Sequence, residues 1–266
     1  MFYNAINGQI HIDDTTMDYV RFGSGSKILI MIPGLGDGLT TVKGKAFPFA
    51  WMYKMYAKEY TVYMFSRKNK LPSTYTTRDM ARDLKKAMDI LKIERANIVG
   101  VSQGGMVAQW LAIDYPEVID KLVLVVTSSH PTPEIISCVS SWMELAREDK
   151  YQELMEDNVV KMYSDAYVNK NKWLIPFTSL IKPKSYERFL IMADACLTHN
   201  CHEYLSKISA PTLVIGGAVD QVIGPSASYE IHNYIKDSQL IIYDNYGHAL
   251  YEEAKDFNEN VMKFLK

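Results

Sequence analysis

The stretch Asn97-Ile98-Val99-Gly100-Val101-Ser102-Gln103-Gly104-Gly105-Met106 decides how this chain is read. Residues 97–101 make a short, mainly apolar run, the pattern of a strand covered on both faces. From position 106 to 115 small and apolar residues continue in a helical pattern, stopped by Pro116, which has no amide to extend the ladder. Between the two lies Gly100-Val101-Ser102-Gln103-Gly104, a G-x-S-x-G pattern. Chance supplies roughly 0.05 such matches in a chain of this composition, so the strand-turn-helix context carries the inference. So sharp a turn strains the serine backbone and lifts its hydroxyl clear of the sheet. The glycines are required because a side chain there would strike the neighbouring strand or helix. The helix start beneath adds amides and a positive dipole end where an oxyanion would develop. Ser102 is therefore the expected nucleophile.

Outward from this turn, strand patterns recur at 27–32, 61–66, 121–126, 212–216 and 239–243, mostly separated by helical patterns. That alternation predicts an α/β fold with a mostly parallel, twisted sheet flanked by helices. Thr76 and Asp79 have the spacing of a capping box ahead of the stripe Met80, Leu84, Met88, Leu91. Interleaved polar and apolar residues at 9–22 predict an antiparallel hairpin at the sheet edge, and 252–265 reads as a closing helix with Phe257, Val261 and Phe264 on one face. After Val126 the strands stop for about 80 residues, in favour of helical patterns. Residues 1–127 and 210–266 are thus expected to form the core, and 128–209 a helical cap beginning at the breaker cluster His130-Pro131-Thr132-Pro133.

A serine hydroxyl at neutral pH needs a base within hydrogen-bond reach, itself oriented by a carboxylate. Asp220 follows the run 212–216 and His248 follows the run 239–243, so both leave carboxyl ends of strands, the edge where open α/β sheets bind ligands. The position after the preceding strand reads Val126-Thr127-Ser128-Ser129 and offers no competing carboxylate.

With these residues in order, the chain resembles the α/β-hydrolase superfamily over nearly its whole length, in its esterase- and lipase-like serine branch. The resemblance rests on Ile32-Pro33-Gly34-Leu35-Gly36, the turn at Ser102, Ala210-Pro211-Thr212-Leu213-Val214-Ile215-Gly216 with Asp220, and Gly247-His248. It implies a triad of Ser102, Asp220 and His248, and an oxyanion hole made by the backbone amides of Leu35 and Gln103. It also implies that 128–209 is a lid. Pro33 departs from the histidine many relatives carry there, which leaves backbone donors intact but alters the support of the loop. A serine nucleophile separates the chain from the dehalogenase and epoxide hydrolase branches, which attack with aspartate. Hydrolysis of a small or medium carboxylic ester, a lactone or thioester included, is the expected activity, with no cofactor. C–C bond hydrolysis or acyl transfer with the same triad is the alternative, and a non-catalytic small-molecule receptor the alternative from another class.

Composition narrows the partners. With 29 basic and 31 acidic residues the net charge is −2, too small to draw in nucleic acid or a membrane surface, so a small molecule with an apolar acyl or aromatic part is expected. His130, Trp142, Trp173 and Phe177 are the expected contacts to it from the cap, among further methionine and aromatic residues there. Three cysteines cannot all pair within one chain, and nothing resembles a secretion signal, which together predict free thiols and a cytoplasmic location. Asp194, Cys196, His199, Cys201 and His202 cluster in sequence but lack a second ligand cluster, so no metal is expected. Arg67-Lys68-Asn69-Lys70 reads as a solvated basic loop.

Overall fold

Apolar runs this short bury their backbone polar groups only by pairing with one another, and eight strands do so in one sheet of order β1-β2-β4-β3-β5-β6-β7-β8. The computed structural model describes residues 2–171, 173 and 182–266. Strands β1 (Ile6–Ile12) and β2 (Thr15–Phe22) form the expected hairpin, with Asp13 at φ 51° in its turn. β2 pairs antiparallel with β4 (Tyr60–Phe65). All remaining pairings are parallel and join β4, β3 (Lys27–Ile32), β5 (Ala96–Val101), β6 (Ile119–Val125), β7 (Thr212–Gly217) and β8 (Gln239–Tyr243).

Chain reversal between β3 and β5 sets the layers. Connection β3→β4 carries α1 (Ala46–Met52), whereas β4→β5, β5→β6 and β7→β8 carry α2 (Thr77–Ile90), α3 (Gln103–Asp114) and α8 (Ser226–Tyr234). Right-handed crossovers put α1 on one face of the sheet and the other three on the opposite face. The C-terminal helix α10 (Phe257–Leu265) joins the α1 side, where the Tyr56 hydroxyl donates to Asn258 Oδ1 (2.9 Å) and the Tyr60 hydroxyl to the carbonyl of Leu265 (3.2 Å). Thr76 caps α2 with the expected reciprocal box: its Oγ1 accepts from the Asp79 amide at 3.1 Å and its own amide donates to Asp79 Oδ2 at 3.0 Å. Every residue of α3 from Gln103 to Ala112 is buried, so this helix has no solvent face.

The closing helix differs from its expected form. Instead of one helix over 252–265 there is a turn α9 (Leu250–Glu253), an extended residue at Ala254, and then α10. The break lets Tyr251 and Glu252 follow the rim of a cavity while Phe257, Val261 and Leu265 pack into the core.

Between β6 and β7 the described residues contain no strand. They form α4 (Pro133–Arg147), α5 (Tyr151–Met162), α6 (Asp165–Asn171) and α7 (Glu187–Leu197). The breaker cluster has a positive role: the Thr132 hydroxyl caps α4 by accepting from the Ile135 amide (3.1 Å), and Pro133 takes the first turn, where no amide is needed. No helix among the described residues is long and apolar enough to cross a membrane.

At the end of α7, His199 is buried with Nδ1 2.8 Å from Thr77 Oγ1 and its ring edge-on to Trp110. Burial pushes its imidazole from 6.5 down to about 3. The unfolded chain binds this proton near pH 6.5 and the folded chain only near 3, so His199 makes stability fall as pH drops through that window. His199→Gln is expected to flatten the decline in urea-unfolding free energy between neutral pH and about pH 5, read as the difference between wild type and variant.

Candidate active site

The parallel strands β5, β7 and β8 each lead into one polar side chain at the same edge of the sheet. At the end of β5 Ser102 has φ 54° and ψ −123°, a left-handed backbone that costs of order 1–3 kcal/mol in a residue with a Cβ. Its amide is tied to the carbonyl of Val125 (2.9 Å) and its carbonyl accepts from Thr127 Oγ1 (2.8 Å), which fixes the turn from both sides. The flanking glycines fit the space left to them. A Cβ on Gly104 would lie 2.0 Å from the carbonyl oxygen of Ile32 in β3, and one on Gly100 would lie 2.5 Å from the carbonyl oxygen of Gly104.

Asp220 follows β7 and is held by the backbone beyond it. Its Oδ1 accepts from the amides of Val222 (2.8 Å) and Ile223 (3.0 Å), which leaves Oδ2 for His248 Nδ1 at 2.8 Å. His248 follows β8, and its Nε2 lies 2.9 Å from Ser102 Oγ. Asp220 and His248 are 3% and 2% exposed, so little water competes for these bonds. The order Ser, Asp, His along the chain thus becomes a linear chain of two hydrogen bonds in space.

Leu35 and Gln103 each open a helical turn, so their amides have no intrahelical acceptor. Gly34 leaves room beside the serine: a Cβ there would come within 3.2 Å of Ser102 Cβ. Ser102, His248 and the 33–36 turn line a cavity of about 430 Å³ roofed by α4, α5 and α7. Its roof is largely apolar, with Trp142, Leu154, Met155, Met162 and Phe189 in the lining; Lys45 and Glu252 add charge lower down. Burial lowers the Lys45 ammonium, opposed by Asp37, and raises the Glu252 carboxyl, with Glu253 adding to the rise.

Of the expected cap contacts, Trp142 lies in the lining, its Nε1 donating to Asp157 Oδ2 at 2.7 Å. Trp173 is 65% exposed and is not among the lining residues, and Phe177 lies outside the described residues. His130 faces a different cleft, shared with His202 and Glu230. The sequence cluster around His199 mostly separates: Cys196 Sγ meets Gln103 and His202 turns toward Glu230, while Cys201 Sγ meets Gln109 and stays 3.5 Å from His199 Nε2. All three cysteines are free and buried, and burial pushes the thiols of Cys138 and Cys196 up to about 12 and Cys201 higher still, so none supplies a thiolate at neutral pH.

The 67–70 loop is not merely solvated. Arg67 is buried, and its Nη2 donates to the carbonyl of Pro33 (2.9 Å) and to Gln103 Oε1 (3.3 Å). Lys68 pairs with Asp83 at 3.0 Å. Arg188 of α7 completes a network that sequence reading missed: its Nη2 meets Asp37 Oδ2 (2.7 Å) and the carbonyl of Arg67 (2.9 Å), and Nη1 meets the carbonyl of Lys68 (2.6 Å). Gln103 Nε2 donates to the carbonyl of Met192, also on α7, at 2.6 Å. The roof is thereby bonded to the turn after β3 and to the residue that follows the serine.

The alpha/beta hydrolase fold family matches residues 27–255, and the chain belongs to that family. It is 29% identical over 194 residues to 2-hydroxy-6-oxo-6-phenylhexa-2,4-dienoate hydrolase of Comamonas testosteroni, covering 70% of this chain and 68% of that protein. It is 23% identical to 3-oxoadipate enol-lactonase 2 of Acinetobacter baylyi, over 95% and 94% of the two chains. In three dimensions it superposes on MGS-M2, an alpha/beta hydrolase from a Medee basin deep-sea metagenome library, with TM-score 0.87 at 21% identity and 97% coverage of both chains. The protein is a hydrolase of this family.

Arg188→Ala would leave the carboxylate of Asp37, 1% exposed in its side chain, without its closest cation. The expected cost is about 3 kcal/mol in urea unfolding, the range for breaking a buried ion pair. Arg188→Lys should recover only part of it, because one ammonium cannot reach the several acceptors a guanidinium spans.

Proposed function

We propose that the protein is a serine hydrolase that cleaves a small or medium carboxylic ester, lactones included, through an acyl-enzyme on Ser102. The observation that carries this reading is the continuous hydrogen-bond chain from Ser102 Oγ through His248 to Asp220, with spacings of 2.9 and 2.8 Å.

Ser102 Oγ attacks the carbonyl carbon as its proton passes to His248 Nε2, and Asp220 stabilises the imidazolium through Nδ1. The amides of Leu35 and Gln103 hold the oxyanion. Collapse expels the alcohol, which takes the proton from Nε2; water then attacks the acyl-enzyme with the same imidazole as base, releasing the acid and the free serine. These steps call for no metal or organic cofactor. An apolar roof supports a substrate with an aliphatic or aromatic acyl part, and keeping water off the tetrahedral intermediate strengthens its contacts to the amides.

A second reading uses the same three residues for C–C bond hydrolysis, and the relative from Comamonas testosteroni, named as a hydrolase of a 6-oxo-dienoate, favours it. Short-chain p-nitrophenyl esters assayed beside a panel of vinylogous diketones separate the two. Rapid ester turnover with diketones untouched supports ester hydrolysis; the reverse supports C–C cleavage.

A fluorophosphonate probe is expected to label wild type at Ser102 and not Ser102→Ala, read by peptide mass spectrometry. An unlabelled, folded wild type that still binds a small molecule in the cavity would instead favour the receptor reading. Asp220→Asn, which keeps the shape but favours the wrong imidazole tautomer, is expected to lower kcat by about 10⁴-fold.

A further inference from the structure

On a cleft sharing no lining residue with the Ser102 cavity, side chains from three separate segments converge on one point. Ser129 and His130 belong to the segment that leaves the core after β6. His202 belongs to the segment that returns from α7, 73 positions beyond Ser129. Glu230 projects from α8, which packs on the sheet. Glu230 Oε1 lies 3.0 Å from His130 Nδ1, 2.7 Å from His202 Nδ1 and 2.8 Å from Ser129 Oγ. Ser129 Oγ is in turn 3.3 Å from His130 Nδ1 and 3.2 Å from His202 Nδ1.

We propose that His130, His202 and Glu230 form a binding site for a divalent zinc-like cation that pins the two ends of the helical insertion to the core. Two imidazole nitrogens and one carboxylate oxygen are the donor set of many open zinc sites, with a further position left for Ser129 Oγ or water. Zinc bonds of about 2.0–2.1 Å in tetrahedral geometry place neighbouring ligand atoms roughly 3.3 Å apart; Glu230 Oε1 lies 3.0 and 2.7 Å from the two Nδ1 atoms and all three ligand atoms lie within 4.8 Å of one another, so small shifts of side chains admit the cation. Each Nδ1 then offers a lone pair to the metal and carries its proton on Nε2, which replaces the hydrogen bonds now made to Glu230. The backbone is held ready for this. The amide of Cys201 donates to the carbonyl of Ser129 at 2.8 Å, fixing the two segments side by side, and the ring of His202 packs 4.2 Å from that of Tyr234. The site is reachable from solvent, since His130 and His202 keep 35% and 27% of their side-chain surface exposed, and Glu203 adds a second carboxylate to the cleft. Such an ion ties together segments far apart in the chain, so it is expected to stabilise the folded state.

The test is zinc titration calorimetry on the full chain after dialysis against a chelator, with thermal unfolding alongside. Expected are one zinc per chain, a rise in Tm of about 5 °C at a hundredfold excess over Kd, and binding weakened at least tenfold in both Glu230→Gln and His202→Gln. Circular dichroism checks that each variant is folded, and the ester turnover of the metal-free variants should match that of metal-free wild type. No zinc uptake by wild type, or uptake unchanged in both variants, would show that the cluster is a hydrogen-bond network only. Uptake lost in His248→Gln but kept in His202→Gln would place the ion at the triad and equally overturn the proposal.

Discussion

The left-handed backbone of Ser102 is the constraint on which the rest of the molecule depends. A residue with a Cβ occupies that conformation only where its surroundings leave no alternative. Here β5 ends inside the sheet and α3 begins at once, with Gly104 pressed against the carbonyl of Ile32. The closeness of β3, β5 and α3 therefore holds the hydroxyl in its exposed position. The same closeness brings the turn after β3 alongside Ser102, so the serine hydroxyl and the amide of Leu35 are set by a single packing contact. Asp220 and His248 need less strain, because they ride on loops at adjacent strand ends and are fixed by hydrogen bonds alone.

A second layer of order comes from buried charge. Asp37, Arg67 and Arg188 sit behind the turn after β3, where ionised groups are stable only if each finds partners. Arg188 reaches Asp37 and two carbonyls of the 67–68 segment, and Arg67 reaches Pro33 and the Gln103 side chain. Pro33 contributes its carbonyl to this network. The arginine of the neighbouring loop thus supports the turn from behind.

Sequence made some of this legible and hid the rest for identifiable reasons. The strand-turn-helix at Ser102 and the loop positions of Asp220 and His248 follow from local rules: apolar runs, turn glycines and strand order. Helix α1 carries Pro48 in its first turn, where proline replaces an amide that has no helical acceptor anyway, so the sequence there shows no plain helical signature. Arg67 looked like part of a solvated basic run because its acceptors, Pro33 and Gln103, lie more than thirty positions away. His130 and His202 could be named from sequence, but Glu230, on a helix of the core, has no local feature that marks it as their partner. Side chains whose meaning depends on which distant elements meet leave no periodic trace in the chain.

The helical insertion is bonded on both sides of the serine, and this divides its residues by role. On one side Arg188 and the carbonyl of Met192 bind the turn after β3 and Gln103. On the other, the carbonyl of Met162 accepts from the Ala249 amide (2.8 Å), directly after His248, and the Ser164 hydroxyl donates to Glu253 (2.6 Å). These polar anchors lie beside the roof residues Leu154, Met155 and Phe189, which meet the cavity through apolar surface alone. Changing the roof residues alters the volume and shape of the cavity while leaving the anchors in place, because dispersion contacts are short-ranged and non-directional. Changing an anchor moves the turns beside Ser102 and His248. One inserted segment can therefore vary in what it covers without disturbing the geometry it supports, which is how a single fold serves hydrolases of different substrates.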